Sequence, residues 1–129
     1  MAKAINWSQE FYDEVMTEDS EYPKTALRLG SIYFDNGYYV KGEIVDVRVE
    51  GKVVRNAQII GDMELYKIKA LPEDVISCYK SSLQEREKII KFLSSNYNQP
   101  VDEETPVTVV TYRNLPGLTH YDVDDPHMN

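Results

Sequence analysis

One cysteine, Cys78, is all the thiol chemistry this chain carries. A lone cysteine excludes an intramolecular disulfide, and a single free thiol is most at home in a reducing compartment. Apolar runs are equally scarce: Ile59-Ile60 and Val109-Val110 are typical, far below the roughly 18 consecutive apolar residues of a membrane-crossing helix. Residues Met1 to Asn6 lack the basic region, apolar run and small-residue cleavage site of a secretory signal. A cytoplasmic protein without a membrane segment is therefore expected. There is no glycine-rich phosphate loop, no His-Glu metalloprotease motif and no cysteine pair, which removes several large enzyme classes. Both histidines, His120 and His127, lie near the end of the chain. Cys78 thus has no neighbouring partner in sequence for nucleophilic chemistry, and a free cysteine in a packed interior is ordinary.

What is present suits one folded domain. The 129 residues are 42 % apolar and 28 % charged, close to globular averages, and a chain of this size buries roughly two-thirds of its unfolded surface. The net charge of −8 is unevenly spread: residues 1–22 carry −5, residues 23–100 carry +2, residues 101–113 carry −2 and the remainder −3. A mildly basic body between acidic ends leaves room for a local anion-binding surface, though not for a long phosphate-tracking groove.

Trp7, Phe11 and Val15 recur at helical spacing, which predicts an N-terminal helix with Asn6 or Ser8 as its cap. Tyr22-Pro23 ends the acidic stretch after it. A short strand is expected over Thr25 to Leu29, and Asp35-Asn36-Gly37 marks a turn. Glu43 to Val49 alternates, with Val45, Val47 and Val49 on one face, then turns at Glu50-Gly51 into a second arm over Val53 to Ile60. Met63 to Ile68 reads as a further strand. Pro72, Glu73 and Asp74 open a short helix reaching about Tyr79. Ser82-Leu83-Gln84-Glu85 matches a capping box before Ile89, Ile90 and Leu93. Val107 to Tyr112 closes as a strand, and residues 114–129, with two prolines, a glycine and no periodicity, read as a flexible acidic tail. The expected architecture is α+β: a small barrel of about five to six mostly antiparallel strands, an N-terminal helix, and two helices before the last strand, formed by residues 1–113 as one domain.

The first candidate site is Lys24-Thr25-Ala26-Leu27-Arg28. Alternation along a strand points Lys24, Ala26 and Arg28 one way and Thr25 and Leu27 the other, so the two cations face one side and can serve one anionic ligand. Tyr33, Phe34, Tyr38 and Tyr39 gather around one turn beside Lys41, and aromatic faces near a cation suit stacking on a base, although tyrosines also simply fill half-buried strands. His120, Asp122, Asp124, Asp125 and His127 include metal-ligand types, but without cysteine or rigid helical spacing they do not define a metal site. No metal or other cofactor is expected.

The order of an initial helix, Pro23-Lys24-Thr25-Ala26-Leu27-Arg28-Leu29, Gly42-Glu43-Ile44-Val45-Asp46-Val47, Arg55-Asn56-Ala57-Gln58-Ile59-Ile60, Leu71-Pro72-Glu73-Asp74-Val75-Ile76, and finally Thr105 to Tyr112 resembles the ASCH domain, a family of the PUA-like superfamily of small β-barrels. The resemblance covers roughly residues 7–113. It implies a cleft beside the Lys-Thr segment and binding of RNA, a nucleotide or a modified nucleoside, with Lys24, Thr25, Arg28, Tyr33, Tyr38, Tyr39 and Lys41 as the ligand-binding residues. Some relatives are small amidohydrolases acting on N4-acylcytidine through a Lys, a Thr and a helix Glu. Lys24 and Thr25 match the first two. Many relatives carry Lys-Thr-x-Thr-x-Arg where this chain has the shorter Lys-Thr-Ala-Leu-Arg, and the helix Glu position falls at Ser81 and Ser82, with Glu73, Asp74 and Glu85 nearby. Three readings stand: a PUA-like binding module, an amidohydrolase using Lys24 and Thr25, and a protein-interaction domain using the acidic ends.

Overall fold

Valines at 45, 47 and 49 alternate with Ile44, Asp46 and Arg48, and this period of two builds the best-defined strand pair of the molecule. In a computed structural model describing residues 3–116, β3 (Ile44–Val49) and β4 (Lys52–Ile59) form an antiparallel hairpin with a bulge between Val47 and Arg48. Its tight turn places Glu50 at φ 49° and Gly51 at φ 82°. That left-handed pair matches the strand twist, and glycine adopts it without strain. The three valines are buried and Ile44 is exposed, as the alternation requires.

Six strands make one mixed sheet. β1 (Ala4–Trp7) runs parallel to β3, and the path continues through β4 to β6 (Pro106–Asn114) and then β2 (Lys24–Leu29). β6 is the hub: β2 lies along one edge, while β5 (Glu64–Lys67) and the end of β4 share the other. The remaining elements pack against the sheet. A 3-10 turn, Gln9–Phe11, leads into α1 (Tyr12–Thr17); α2 (Ile32–Asp35) is a single turn; α3 (Glu73–Ser77) and α4 (Arg86–Tyr97) precede β6. Phe11, Val15, Val75, Ile76, Ile89 and Leu93 pack with the inward-facing strand residues in one core. No helix among the described residues is long and apolar enough to cross a membrane.

The α+β architecture is the expected one, formed as a curled sheet that stops short of closure. No backbone ladder joins its edge strands β1 and β2; instead Arg28 Nη2 of β2 donates to the Asn6 carbonyl of β1 at 3.0 Å. Three local expectations are corrected. The N-terminal helix begins after Trp7, because Ile5 and Trp7 alternate with Asn6 and the segment takes its register from β3. The capping box is not formed: Ser81–Leu83 is a 3-10 turn and α4 starts at Arg86 with Glu85 as its N-cap. Buried Leu83 and the Gln84 amide, which donates to the Ser77 and Tyr79 carbonyls at 3.0 Å, hold that segment out of the helix. Asn114 is no part of a tail, since it pairs with Ala57 and is buried. Residues 117–129, with the five His and Asp candidates, lie outside the described residues.

Candidate functional site

The open seam between β1 and β2 is a cleft of about 240 Å³. β1 and the turn after it contribute Asn6, Trp7, Ser8 and Phe11; β2 contributes Leu27 and Arg28; α2 contributes Tyr33; α4 contributes Phe92, Leu93, Asn96 and Tyr97; and Tyr79 completes the lining. Aromatic edges fix the walls, with Trp7 on Phe11 at 5.7 Å between ring centroids and Phe11 on Phe92 at 5.4 Å. The Tyr97 hydroxyl accepts from the Leu29 amide at 3.4 Å, tying the end of α4 to β2. No lining residue is a carboxylate, and Arg28 is the single charged one. Its guanidinium lies 5.4 Å from the Trp7 ring centroid, donates to the main-chain carbonyls of Leu27 and Asn6, each at 3.0 Å, and sits beside the Tyr39 hydroxyl. This is a stacking-competent slot of mixed polar and aromatic character, with one cation, two side-chain amides and the hydroxyls of Ser8, Tyr33, Tyr79 and Tyr97.

Behind Trp7 lies a buried polar cluster. The Lys80 ammonium, 1 % exposed, is 3.9 Å from the Trp7 ring centroid and donates to Glu18 Oε2 at 2.6 Å. Glu18 Oε1 accepts from Asn114 Nδ2 at 3.0 Å. Burial pulls the Lys80 pKa below its ordinary value, against the opposing pull of Glu18. Burial also raises the phenols of Tyr79 and Tyr112. Trp7 Nε1, Tyr112 Oη and Asn114 Oδ1 are buried with no hydrogen-bond partner among the described residues.

Of the residues singled out from sequence, the fold brings Arg28 and Tyr33 to the cleft. Tyr38 and Tyr39 stack behind Tyr33 at centroid distances of 5.0 and 5.6 Å. Tyr39 is buried and donates to the Ala4 carbonyl at 2.8 Å, its pKa pushed up to about 12 by burial. Tyr38 stays partly exposed beside the Lys3 ammonium, and Lys41 is exposed. Lys24 begins β2 opposite Tyr112 and does not line the cleft; four residues of strand separate it from Arg28 by roughly 13 Å. The Thr25 hydroxyl is buried and donates to the Val75 carbonyl at 2.9 Å, while its amide donates to the Cys78 carbonyl.

The carboxylates and serines near the start of the last helix are also elsewhere. Glu73 pairs with Arg86 at 2.9 Å, Glu85 with Lys88 at 3.4 Å, and the Ser81 hydroxyl donates to Glu14 Oε1 at 3.2 Å. None of these, nor Ser82 or Asp74, lines the cleft. Among the described residues no group of three or more His, Cys, Asp or Glu side chains is placed to hold a metal ion. Asn6, Trp7, Phe92, Asn96 and Tyr97 are not among the site residues expected from sequence. The heptad-like spacing of Trp7 and Phe11 marks them as core, and only the meeting of β1 with β2 turns one face of them into a wall.

No family model matches the chain, and no curated protein matches its sequence. Solved structures do match its fold. A crystal structure of a DUF984 protein from Enterococcus faecalis superposes with a TM-score of 0.69 at 9 % identity, over 100 % of this chain and 84 % of that one. A crystal structure described as an ASCH domain from Lactobacillus crispatus gives a TM-score of 0.60 at 13 % identity, over 87 % of this chain and 78 % of that one. The chain therefore has an ASCH-like α+β fold.

Proposed function

We propose that this protein is a binding module that takes RNA, a nucleotide or a modified nucleoside into the seam cleft. The observation that carries this reading is the pairing of an aromatic slot with Arg28, a cation that no carboxylate neutralises among the described residues. A base has two π-faces and hydrogen-bonding edges. Trp7, Tyr33 and Tyr97 suit the faces, and Asn6 and Asn96 suit the edges. Stacking of a base on an aromatic side chain contributes about 1–3 kcal/mol and tolerates many sequences. At about 240 Å³ the cleft lies just under the roughly 300–1,000 Å³ of drug-sized sites, which fits one base or nucleoside rather than a long strand laid in a groove. The ASCH-like fold supports the same class of ligand.

Trp7 is the only tryptophan and lines the cleft, so its emission reports occupancy. Titration with short single-stranded RNA and with nucleosides is expected to change Trp7 fluorescence saturably, and Arg28→Ala is expected to weaken the response. Unchanged emission up to millimolar ligand, together with no heat of binding in calorimetry, would overturn the proposal.

A further inference from the structure

The other arginines whose partners are carboxylates show what Arg28 lacks. Arg48 meets Asp46 at 3.5 Å and Arg86 meets Glu73 at 2.9 Å. Among the described residues Arg28 has no carboxylate partner: it donates to the Leu27 and Asn6 carbonyls and has the neutral Tyr39 hydroxyl beside it. These two bonds hold the guanidinium in place at the seam, and a guanidinium carries five N–H donors in a planar fork, so donors remain for a bidentate acceptor.

Resting on the nucleoside-binding reading of the cleft, we infer that its ligand is a nucleoside phosphate, with the base in the aromatic slot and the phosphate oxygens on the Arg28 fork. An uncharged nucleoside filling the slot strips water from a half-buried cation and returns no counter-charge. A phosphate restores it through charge-assisted, bidentate hydrogen bonds. Every other polar group of the lining is neutral, so nothing there repels the anion. The phosphate ester can belong to a free mononucleotide or to a strand of RNA, and both present the same chemistry to Arg28.

The test uses the full chain, titrated through Trp7 emission and by calorimetry with cytidine and adenosine, with their 5′- and 3′-monophosphates, and with the matching single-stranded trinucleotides. A monophosphate is expected to bind roughly tenfold or more tightly than its nucleoside. That advantage should shrink as salt rises from about 50 to about 500 mM, where charges are screened over a few ångströms. Arg28→Gln should erase the difference between monophosphate and nucleoside, and Arg28→Lys should keep part of it. Because Arg28 also bridges the seam, the salt dependence of the wild type carries the test if the variants unfold. Equal binding of nucleoside and monophosphate, insensitive to salt, overturns this inference while leaving the nucleoside-binding reading intact. Binding of none of the probes overturns both. Trinucleotides tighter than monophosphates identify an RNA strand as the source of the phosphate, and equal affinities identify the free nucleotide.

Discussion

The Lys80 ammonium lies 3.9 Å from the centroid of the Trp7 indole, on a ring that also forms a wall of the cleft. Lys80 is thus a support for that wall, and its charge is paired with Glu18 at 2.6 Å, with Glu14 as a weaker favourable neighbour. Removing one member of a buried ion pair leaves the other charge without compensation and costs about 3–5 kcal/mol, whereas replacing both is far milder. Lys80→Met is therefore expected to lower stability by about that amount, and Lys80→Met combined with Glu18→Gln by clearly less than the single change. Urea denaturation of the two singles and the double variant measures this, and strictly additive losses would refute it.

Thr25 is expected to act in folding and not in chemistry. Its hydroxyl donates to the Val75 carbonyl, which also accepts from the Cys78 amide, so Thr25→Val leaves that carbonyl with a partner. The loss should be about 1 kcal/mol, with cleft affinity unchanged. Chromatography is expected to find no cytidine released from N4-acetylcytidine by the wild type. Release that disappears in Thr25→Val or Lys24→Ala would establish the amidohydrolase instead.

Alkaline pH should weaken the fold in a defined window. The ordinary tyrosine pKa is 10.0, and burial raises that of folded Tyr39 to about 12. As pH rises, the unfolded chain loses this proton first. The stabilisation is therefore complete below about pH 10 and lost between about 10 and 12. Tyr79 and Tyr112 shift the same way. Lys80 works in the opposite sense, because its pKa is lowered by burial and its penalty is relieved as pH approaches 10.5. With three buried phenols against one buried ammonium, the urea midpoint should fall above pH 10, and Tyr39→Phe should make the fall shallower. An identical slope in Tyr39→Phe would contradict this account.

Arg28 is expected to hold the seam as well as the ligand. Its bond to the Asn6 carbonyl is the side-chain link between the edge strands. Arg28→Ala should accelerate amide hydrogen exchange in Ala4–Trp7, while β4 and β6 amides keep their protection. Uniform acceleration across the sheet would show a global loss of stability instead.

How much of this was legible in the sequence depends on whether a residue's role is local. Val45, Val47 and Val49 and the Glu50-Gly51 turn were, because alternation and turn chemistry lie in neighbouring residues. Ala4–Trp7 was read as the lead into a helix: four residues carry little period, and their bonding partners sit about forty residues away in β3. Glu18 lies in an acidic stretch and Lys80 between Tyr79 and Ser81, 62 residues apart, and only the tertiary fold brings them together. For the site, Arg28 and Tyr33 were identified as a cation on a strand and an aromatic at a turn, and both line the cleft. Lys24 shares Arg28's side of the strand by alternation, but the seam that makes the cleft opens at the Arg28 end only. Trp7 carries no sign beyond core spacing, since a wall residue and a core residue obey the same hydrophobic pattern.

β6 is the shared neighbour of β2, β4 and β5, with Lys24 facing Tyr112 across almost the whole length of the domain. During synthesis, those three strands emerge long before the segment that joins them. Until Asn114 has cleared the ribosome, the sheet has no centre, and the nascent domain must wait with Leu27, Ile59 and their apolar neighbours uncovered. Such late, long-range pairing slows folding and lengthens the exposure of sticky surface, so the domain's apolar surface stays uncovered until β6 has emerged.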